Sequence, residues 1–242
     1  MTEGKALILA SGGVDSAVCM SLAFRDCDTI AGVSFQYGQK HSKEIEHARR
    51  LCKYFGAEHF LVDLPDIFKG SGSALMPGDD VEMPHLTYAE IMEGDGPSPT
   101  VVPFRNANLL SAATTVAIVK GFDQLYWGPH ATDARHNAYP DCTPEFAGSM
   151  AAAIQIGSYG AVRLNVPLQW LTKREVVRLG LKLLTPFGRT WSCYAGGEKQ
   201  CGECPTCVER IDAFANNHVI DPVGYASEID WEAAILESVS HA

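Results

Sequence analysis

Hydrophobic positions along this chain follow two alternating periods. Compact apolar runs at Ala6–Ala10, Thr29–Phe35, His59–Leu64, Gln124–Trp127 and Val162–Val166 predict strands, the first of them buried and parallel. Between them the spacing changes to three and four. Val18, Leu22 and Ala23 predict a helix over Asp15–Arg25. Ile45, Ala48, Leu51 and Cys52 form the inner stripe of a polar-faced helix over Ser42–Phe55. Further helices are predicted over Asn106–Lys120, over the alanine-rich Pro144–Ile156, over Leu171–Leu183 with Thr172 as N-cap, and over Pro205–Asn217 with proline at the first helical position. Strand–helix alternation of this kind predicts an α/β fold: a parallel five-stranded sheet with right-handed crossovers and helices on both faces. Two stretches break the pattern. Pro65–Thr100, rich in Gly, Pro, Asp and Met, reads as a long excursion with some local helix, a lid or partner surface. Gly128–Cys142 reads as a polar loop over the sheet edge.

Length and charge narrow the classes. A chain of 242 residues makes one α/β domain with a small appendage. The formal net charge of -10 argues against a general nucleic-acid-binding face, so a nucleic-acid partner is not expected. It leaves phosphate ligands open, because backbone N–H groups and a few lysines suffice to hold them. The first residues lack a basic segment followed by a long apolar stretch, and no run approaches the roughly 18 apolar residues of a membrane span. A cytoplasmic location is expected, where the eight cysteines would be reduced thiols.

Two motifs carry chemistry. Ser11-Gly12-Gly13-Val14-Asp15-Ser16 directly follows the first strand and opens the first helix. Glycines let a backbone approach an anion, and a helix N-terminus adds N–H groups and a favourable dipole. Asp15 is unusual in an anion cradle; it would orient the loop or hold Mg²⁺ against phosphates. A plain capping turn is the structural alternative. The second motif is Cys193, Cys201, Cys204 and Cys207, spaced C-x7-C-x2-C-x2-C. Four thiolates complete a zinc tetrahedron and leave no position for water, which points to a structural site. An iron–sulfur cluster would also accept four thiolates. Cys19, Cys27 and Cys52 fall in or beside helices and read as small core residues.

The loop resembles the SGGxDS signature of the PP-loop ATP pyrophosphatases, whose cradle grips the β,γ-phosphates and whose leaving group is pyrophosphate. Other segments extend the resemblance: Phe35-Gln36-Tyr37-Gly38-Gln39-Lys40-His41, Val102-Pro103-Phe104-Arg105-Asn106, Tyr139-Pro140-Asp141-Cys142-Thr143-Pro144-Glu145-Phe146, Leu171-Thr172-Lys173-Arg174-Glu175-Val176-Val177, and Trp191-Ser192-Cys193-Tyr194 leading into the cysteine cluster. Over nearly its whole length the chain resembles the 7-cyano-7-deazaguanine synthases, the QueC family of queuosine and archaeosine precursor biosynthesis. The resemblance implies a PP-loop/HUP-like ATP-binding domain over 1–190, with 65–100 as an insertion, and a C-terminal zinc-binding helical region over 191–242. It also implies ATP, Mg²⁺ and Zn²⁺ as cofactors, 7-carboxy-7-deazaguanine and ammonia as substrates, adenylated acid and amide as intermediates, and a homodimer.

Roles follow by position. Ala10, Ser11, Gly12, Gly13, Val14, Asp15 and Ser16 would cradle the phosphates, and adenine would lie against the backbone at Ser34–Phe35. Lys40, Arg105 and Lys173 would offset phosphate charge, with Asp15, Lys173 and Arg105 as the catalytic set. A guanine-like edge needs a carboxylate to accept from its N–H and amine. Asp141 is the first choice for this and Glu145 the second. Tyr37 and Tyr139 would stack on a ring, and Asn106 and Asp133 complete the substrate contacts. One loop departs from the family. Asp133-Ala134-Arg135-His136-Asn137-Ala138-Tyr139 is longer and more polar than its usual counterpart, and Arg135 and His136 would add contacts to a carboxylate or phosphate. Alternatives are a paralogue that stops at the amide or couples another amine, a PP-loop tRNA-modifying enzyme, and a zinc-stabilised nucleotide sensor.

Overall fold

The computed structural model describes residues 4–39, 43–64, 67–76, 99–134 and 139–240. Lys40, Arg135, His136 and most of the 65–100 excursion lie outside the described residues. The strands are β1 (Lys5–Leu9), β2 (Thr29–Gln36), β3 (Glu58–Asp63), β4 (Gln124–Tyr126) and β5 (Arg163–Asn165). The helices are α1 (Val14–Asp26), α2 (Lys43–Tyr54), α3 (Arg105–Lys120), the single turn α4 (Ala131–Ala134), α5 (Pro144–Gly157), α6 (Lys173–Lys182), α7 (Pro205–Ala215) and α8 (Trp231–Ser240). All five strands are parallel, in the order β3-β2-β1-β4-β5.

Side-chain alternation builds the two faces. On β1, Ala6 and Ile8 point into one cluster with α1, α2, α6 and α7, while Leu7 points into the other with α3 and α5. The predicted stripe of α2 is the buried one: Ile45, Ala48, Leu51 and Cys52. Thr172 caps α6 in a reciprocal box, accepting from the Glu175 N–H at 3.4 Å while Glu175 Oε2 accepts from the Thr172 N–H at 2.9 Å.

Two expectations need correction. The 128–142 segment is not all loop: it holds α4 and a short 3₁₀ turn at Pro140–Cys142, the latter covering the start of α3. The pattern predicts nothing beyond Asn217, yet α8 forms there, with Asp230 accepting from the Ala233 N–H at 3.0 Å.

The order of strands places the site. Neighbours of β1 depart in opposite directions in sequence, β2 on one side and β4 on the other, and ligands of open α/β sheets bind beyond the carboxyl ends at such a switch point. The cysteine-bearing C-terminal region is tied to this end. Arg210 of α7 and Asp221, both fully buried, form a two-pronged pair at 2.6 and 2.9 Å, and Arg210 Nη1 donates to Thr190 Oγ1 at 2.7 Å. Breaking such a pair by removing one partner costs about 3–5 kcal/mol. The segment so held places the Trp191 N–H 2.9 Å from the Gly12 carbonyl.

Candidate active site and metal centre

The phosphate loop owes its shape to one glycine. Gly12 has φ +81, and a Cβ built there would sit 2.3 Å from the Glu44 carbonyl and 2.8 Å from the Ala48 nitrogen. The backbone of α2 therefore packs directly on the loop, as only glycine permits. Gly13 is the N-cap of α1 and supplies no side-chain cap, so the first-turn N–H groups face the cavity without one. Ser11 Oγ accepts from the Gly13 N–H at 3.3 Å, and Ser16 Oγ donates to the Gly13 carbonyl at 3.1 Å. Gly12→Ala is expected to lower stability by about 2–5 kcal/mol, from αL strain plus overpacking against backbone. ATP affinity should fall with it. Calorimetric ATP titration and a melting curve check this; wild-type values in both would show that the loop tolerates a side chain.

A half-buried charge cluster stands beside the loop. Lys173, at the first position of α6, donates to both Asp15 oxygens at 2.8 and 2.9 Å. Its Nζ lies 3.2 Å from His130 Nε2 and 3.6 Å from Glu209 Oε2. His130, 1% exposed, comes from the segment after β4, with Nε2 3.4 Å from Asp133 Oδ2. Burial raises the Asp15 carboxyl, but Lys173 and His130 outweigh it and hold it below the ordinary carboxylate range. Burial alone would discharge Lys173; Asp15, Glu209 and Asp133 reverse this and raise its pKa, so the lysine is a fixed cation. Glu209 is raised, burial exceeding the pull of Lys173 and His130, and its Oε1 is buried without a partner.

Loop and cluster share a cavity of about 320 Å³. Of the residues singled out in the sequence, Ala10, Ser11, Gly13, Val14, Asp15, Ser16, Ser34, Phe35, Tyr37, Arg105, Asn106, Asp133, Tyr139 and Lys173 line it. Gly12 lies behind the wall. Ser34 offers its backbone alone, since its hydroxyl donates to the Ala10 carbonyl at 2.5 Å and meets His59 Nε2 at 2.8 Å. The Tyr139 hydroxyl pairs with Thr100 Oγ1 at 2.6 Å. Arg105 follows Phe104, whose φ of 55 is a strained turn into α3. Its Nη1 reaches the Tyr37 hydroxyl at 3.5 Å, while Nε is buried and unpartnered. Burial opposes its charge, but Tyr37, Asp141 and Tyr194 raise its pKa.

Two expected contacts are absent from the wall. Asp141 is buried, its Oδ2 accepts from the Asn106 N–H at 3.1 Å, and its carbonyl accepts from Asn106 Nδ2 at 3.2 Å. Its carboxylate thus satisfies the open first turn of α3 and does not line the cavity. Glu145 lies exposed on the first turn of α5. Conversely, His130, Glu209, Glu44 and Tyr194 line the cavity without having been singled out. Tyr194 carried a signal as the last residue of the matched Trp191–Tyr194 segment, and Glu44 a weaker one, three residues past the matched His41.

The four cysteines converge. Their sulfurs all lie within 4.8 Å of one another, and Cys201 and Cys207 are 3.8 Å apart. A single ion bound at about 2.3 Å by four tetrahedral thiolates sets its sulfurs about 3.8 Å apart. A multi-iron cluster spreads its thiolates over different metal atoms and needs more room, so the spacing fits one zinc ion. Hydrogen bonding with Cys193 and Cys207 drives the Cys204 thiol far below its ordinary value, while Cys193 and Cys204 drive Cys207 up. Such close sulfurs cannot all ionise without a cation between them. Backbone N–H groups of Ala195 and Cys201 already point at Cys193 Sγ at 3.3 Å, and that of Cys204 at Cys201 Sγ at 3.2 Å.

Comparison with known proteins agrees with this geometry. The family described as "Queuosine biosynthesis protein QueC" matches residues 5–218. The 7-cyano-7-deazaguanine synthase of Caldicellulosiruptor saccharolyticus is 39% identical over 228 residues, covering 94% of this chain and 98% of the relative. That of Thermoplasma acidophilum is 40% identical over 231 residues, covering 93% of each. Among solved structures, the U34-tRNA thiolase NcsA from Methanococcus maripaludis, with its 4Fe–4S cluster, has a TM-score of 0.50 at 18% identity, covering 77% of this chain and 59% of that one. At that identity the likeness is one of fold alone. With family and full-length relatives matched from the first strand through the cysteine cluster, the chain belongs to the QueC family.

Proposed function

We propose that the chain converts 7-carboxy-7-deazaguanine and ammonia to 7-cyano-7-deazaguanine, at the expense of ATP cleaved to AMP and diphosphate. The observation that carries this is the full-length match to synthases of that name, combined with a phosphate loop and a half-buried lysine on one cavity wall. The substrate carboxylate attacks the α-phosphorus and diphosphate leaves. Ammonia then displaces AMP to give the amide. A second adenylation, on the amide oxygen, makes that oxygen leave with AMP as the nitrile forms. Each carboxyl oxygen therefore departs on a separate AMP.

This chemistry asks little covalent work of the protein; positioning and charge neutralisation dominate. In this reading the N–H groups of the first turn of α1, from Val14 onward, hold the departing diphosphate. Lys173, fixed by Asp15, stabilises charge developing on the α-phosphate. Arg105, with a free Nε, draws the substrate acid in. Asp15 and Asp133 are the donors suited to Mg²⁺, a hard cation taking oxygen ligands. When bound, Mg²⁺ would offset the triphosphate charge beside Asp15, Asp133 and Glu209, which outnumber Lys173. Zinc would hold Cys193, Cys201, Cys204 and Cys207 together and take no part in the reaction. No helix among the described residues is long and apolar enough to cross a membrane, and reduced thiolate ligands suit a cytoplasmic enzyme. A homodimer, which the family resemblance implies, belongs to the same proposal.

Incubation with the acid, excess ATP and ammonium, followed by product mass, tests the reading. The nitrile is expected. Amide alone at saturating ATP would replace it with the paralogue that stops one step earlier. A tRNA-thiolating function is disfavoured by the single-ion sulfur spacing and the net charge of -10.

A further inference from the structure

Among the described residues, four carboxylates line the cavity: Asp15, Glu44, Asp133 and Glu209. Three gather at Lys173. Glu44, on the first turn of α2, stands apart. No hydrogen bond from a described residue reaches its carboxylate, and no salt bridge closes on it, although Arg105 and Tyr194 are near enough to act on it electrostatically. Arg105 Nε is buried and unpartnered. An anion and a cation thus face one cavity, each with unused hydrogen-bonding capacity, without pairing with each other.

A half-buried carboxylate beside a triphosphate cradle is unfavourable unless a ligand brings donors to it. The phosphates bring none. Adenine places an acceptor nitrogen next to its amine, so it matches a carboxylate with one donor only. A guanine-type ring sets a ring N–H beside an exocyclic amine, two adjacent donors for two adjacent oxygens. Asp141 is already engaged by Asn106. We propose that Glu44 is the residue that reads the N–H and amine edge of the deazaguanine ring, with Arg105 Nε facing its carbonyl and carboxylate side. This rests on the proposed function for the identity of the ligand. Burial raises the Glu44 carboxyl above its ordinary value and Arg105 only partly offsets this, as befits a group awaiting donors.

The test is calorimetric binding of 7-carboxy-7-deazaguanine, and of its analogue lacking the exocyclic amine, to the wild-type chain and to Glu44→Gln. Wild type should bind the acid about 30- to 100-fold more tightly than the analogue, the range expected when a charged acceptor loses a donor. Glu44→Gln should lose a similar factor for the acid and most of the discrimination, while ATP affinity stays within about twofold, which reports a folded variant. Equal binding of both ligands by wild type, or unchanged discrimination in Glu44→Gln, would overturn the assignment and leave nitrile synthesis standing. Absence of nitrile in the product assay would instead remove the function, and the binding ratio would still decide the role of Glu44.

Discussion

Lys173→Met is expected to reduce AMP formation by about three orders of magnitude, the scale on which an enzyme loses rate when a fixed charge at a reacting phosphate is removed. The effect is electrostatic. Lys173 donates to both oxygens of Asp15 and is held as a cation by three carboxylates, in a position screened from solvent. Its charge is fixed before a nucleotide arrives, so no reorganisation is needed when negative charge develops. The substitution also strands Asp15 and Glu209, and leaving one partner of a buried pair uncompensated costs about 3–5 kcal/mol. Adding Asp15→Asn separates the two effects. The double variant should regain much of the lost melting temperature, because an uncompensated charge is gone, and none of the turnover. A single variant within tenfold of wild type would take Lys173 out of the chemistry.

The second large effect concerns metal. Cys204→Ala should reduce zinc from about one per chain to near zero, because three thiolates do not complete the tetrahedron. Cys204 is also the N-cap of α7, which carries Cys207 and Arg210. Arg210 in turn binds Thr190 and Ser192, on either side of Trp191, whose N–H meets the Gly12 carbonyl. Loss of metal is therefore expected to reach the phosphate loop. The melting temperature should fall by roughly 10 °C or more, since structural zinc contributes on the order of 10 kcal/mol to small sites and each kcal/mol shifts a chain of this size by a few degrees. ATP affinity should fall as well. Metal analysis, a melting curve and an ATP titration read the three effects. Full zinc content with unchanged melting would show that Cys204 is not a ligand.

What was legible in the sequence was local. The phosphate loop and the cysteine run compress their chemistry into short segments, so residue type and spacing alone reveal them. The strands and the α2 stripe were legible because each periodicity matches one element. The lysine cluster was legible only in part: Asp15, Asp133 and Lys173 stood out one by one, but Asp15 and Lys173 meet across 158 residues and His130 and Glu209 join only through the fold. Asp141 shows the opposite limit. Its neighbours in Tyr139-Pro140-Asp141-Cys142 mark a carboxylate near the site, but only the fold turns it toward the Asn106 N–H. Ser34 is similar, its hydroxyl spent between β1 and β3. Helix α8 had a readable start in Asp230-Trp231, with Trp231 then packing 6.3 Å from Tyr225.

The most direct test follows oxygen. With both carboxyl oxygens of 7-carboxy-7-deazaguanine labelled as ¹⁸O, diphosphate release and one heavy oxygen in each of two AMP molecules per nitrile are expected. Heavy oxygen in orthophosphate, with ADP formed in place of AMP, would overturn the proposed reaction.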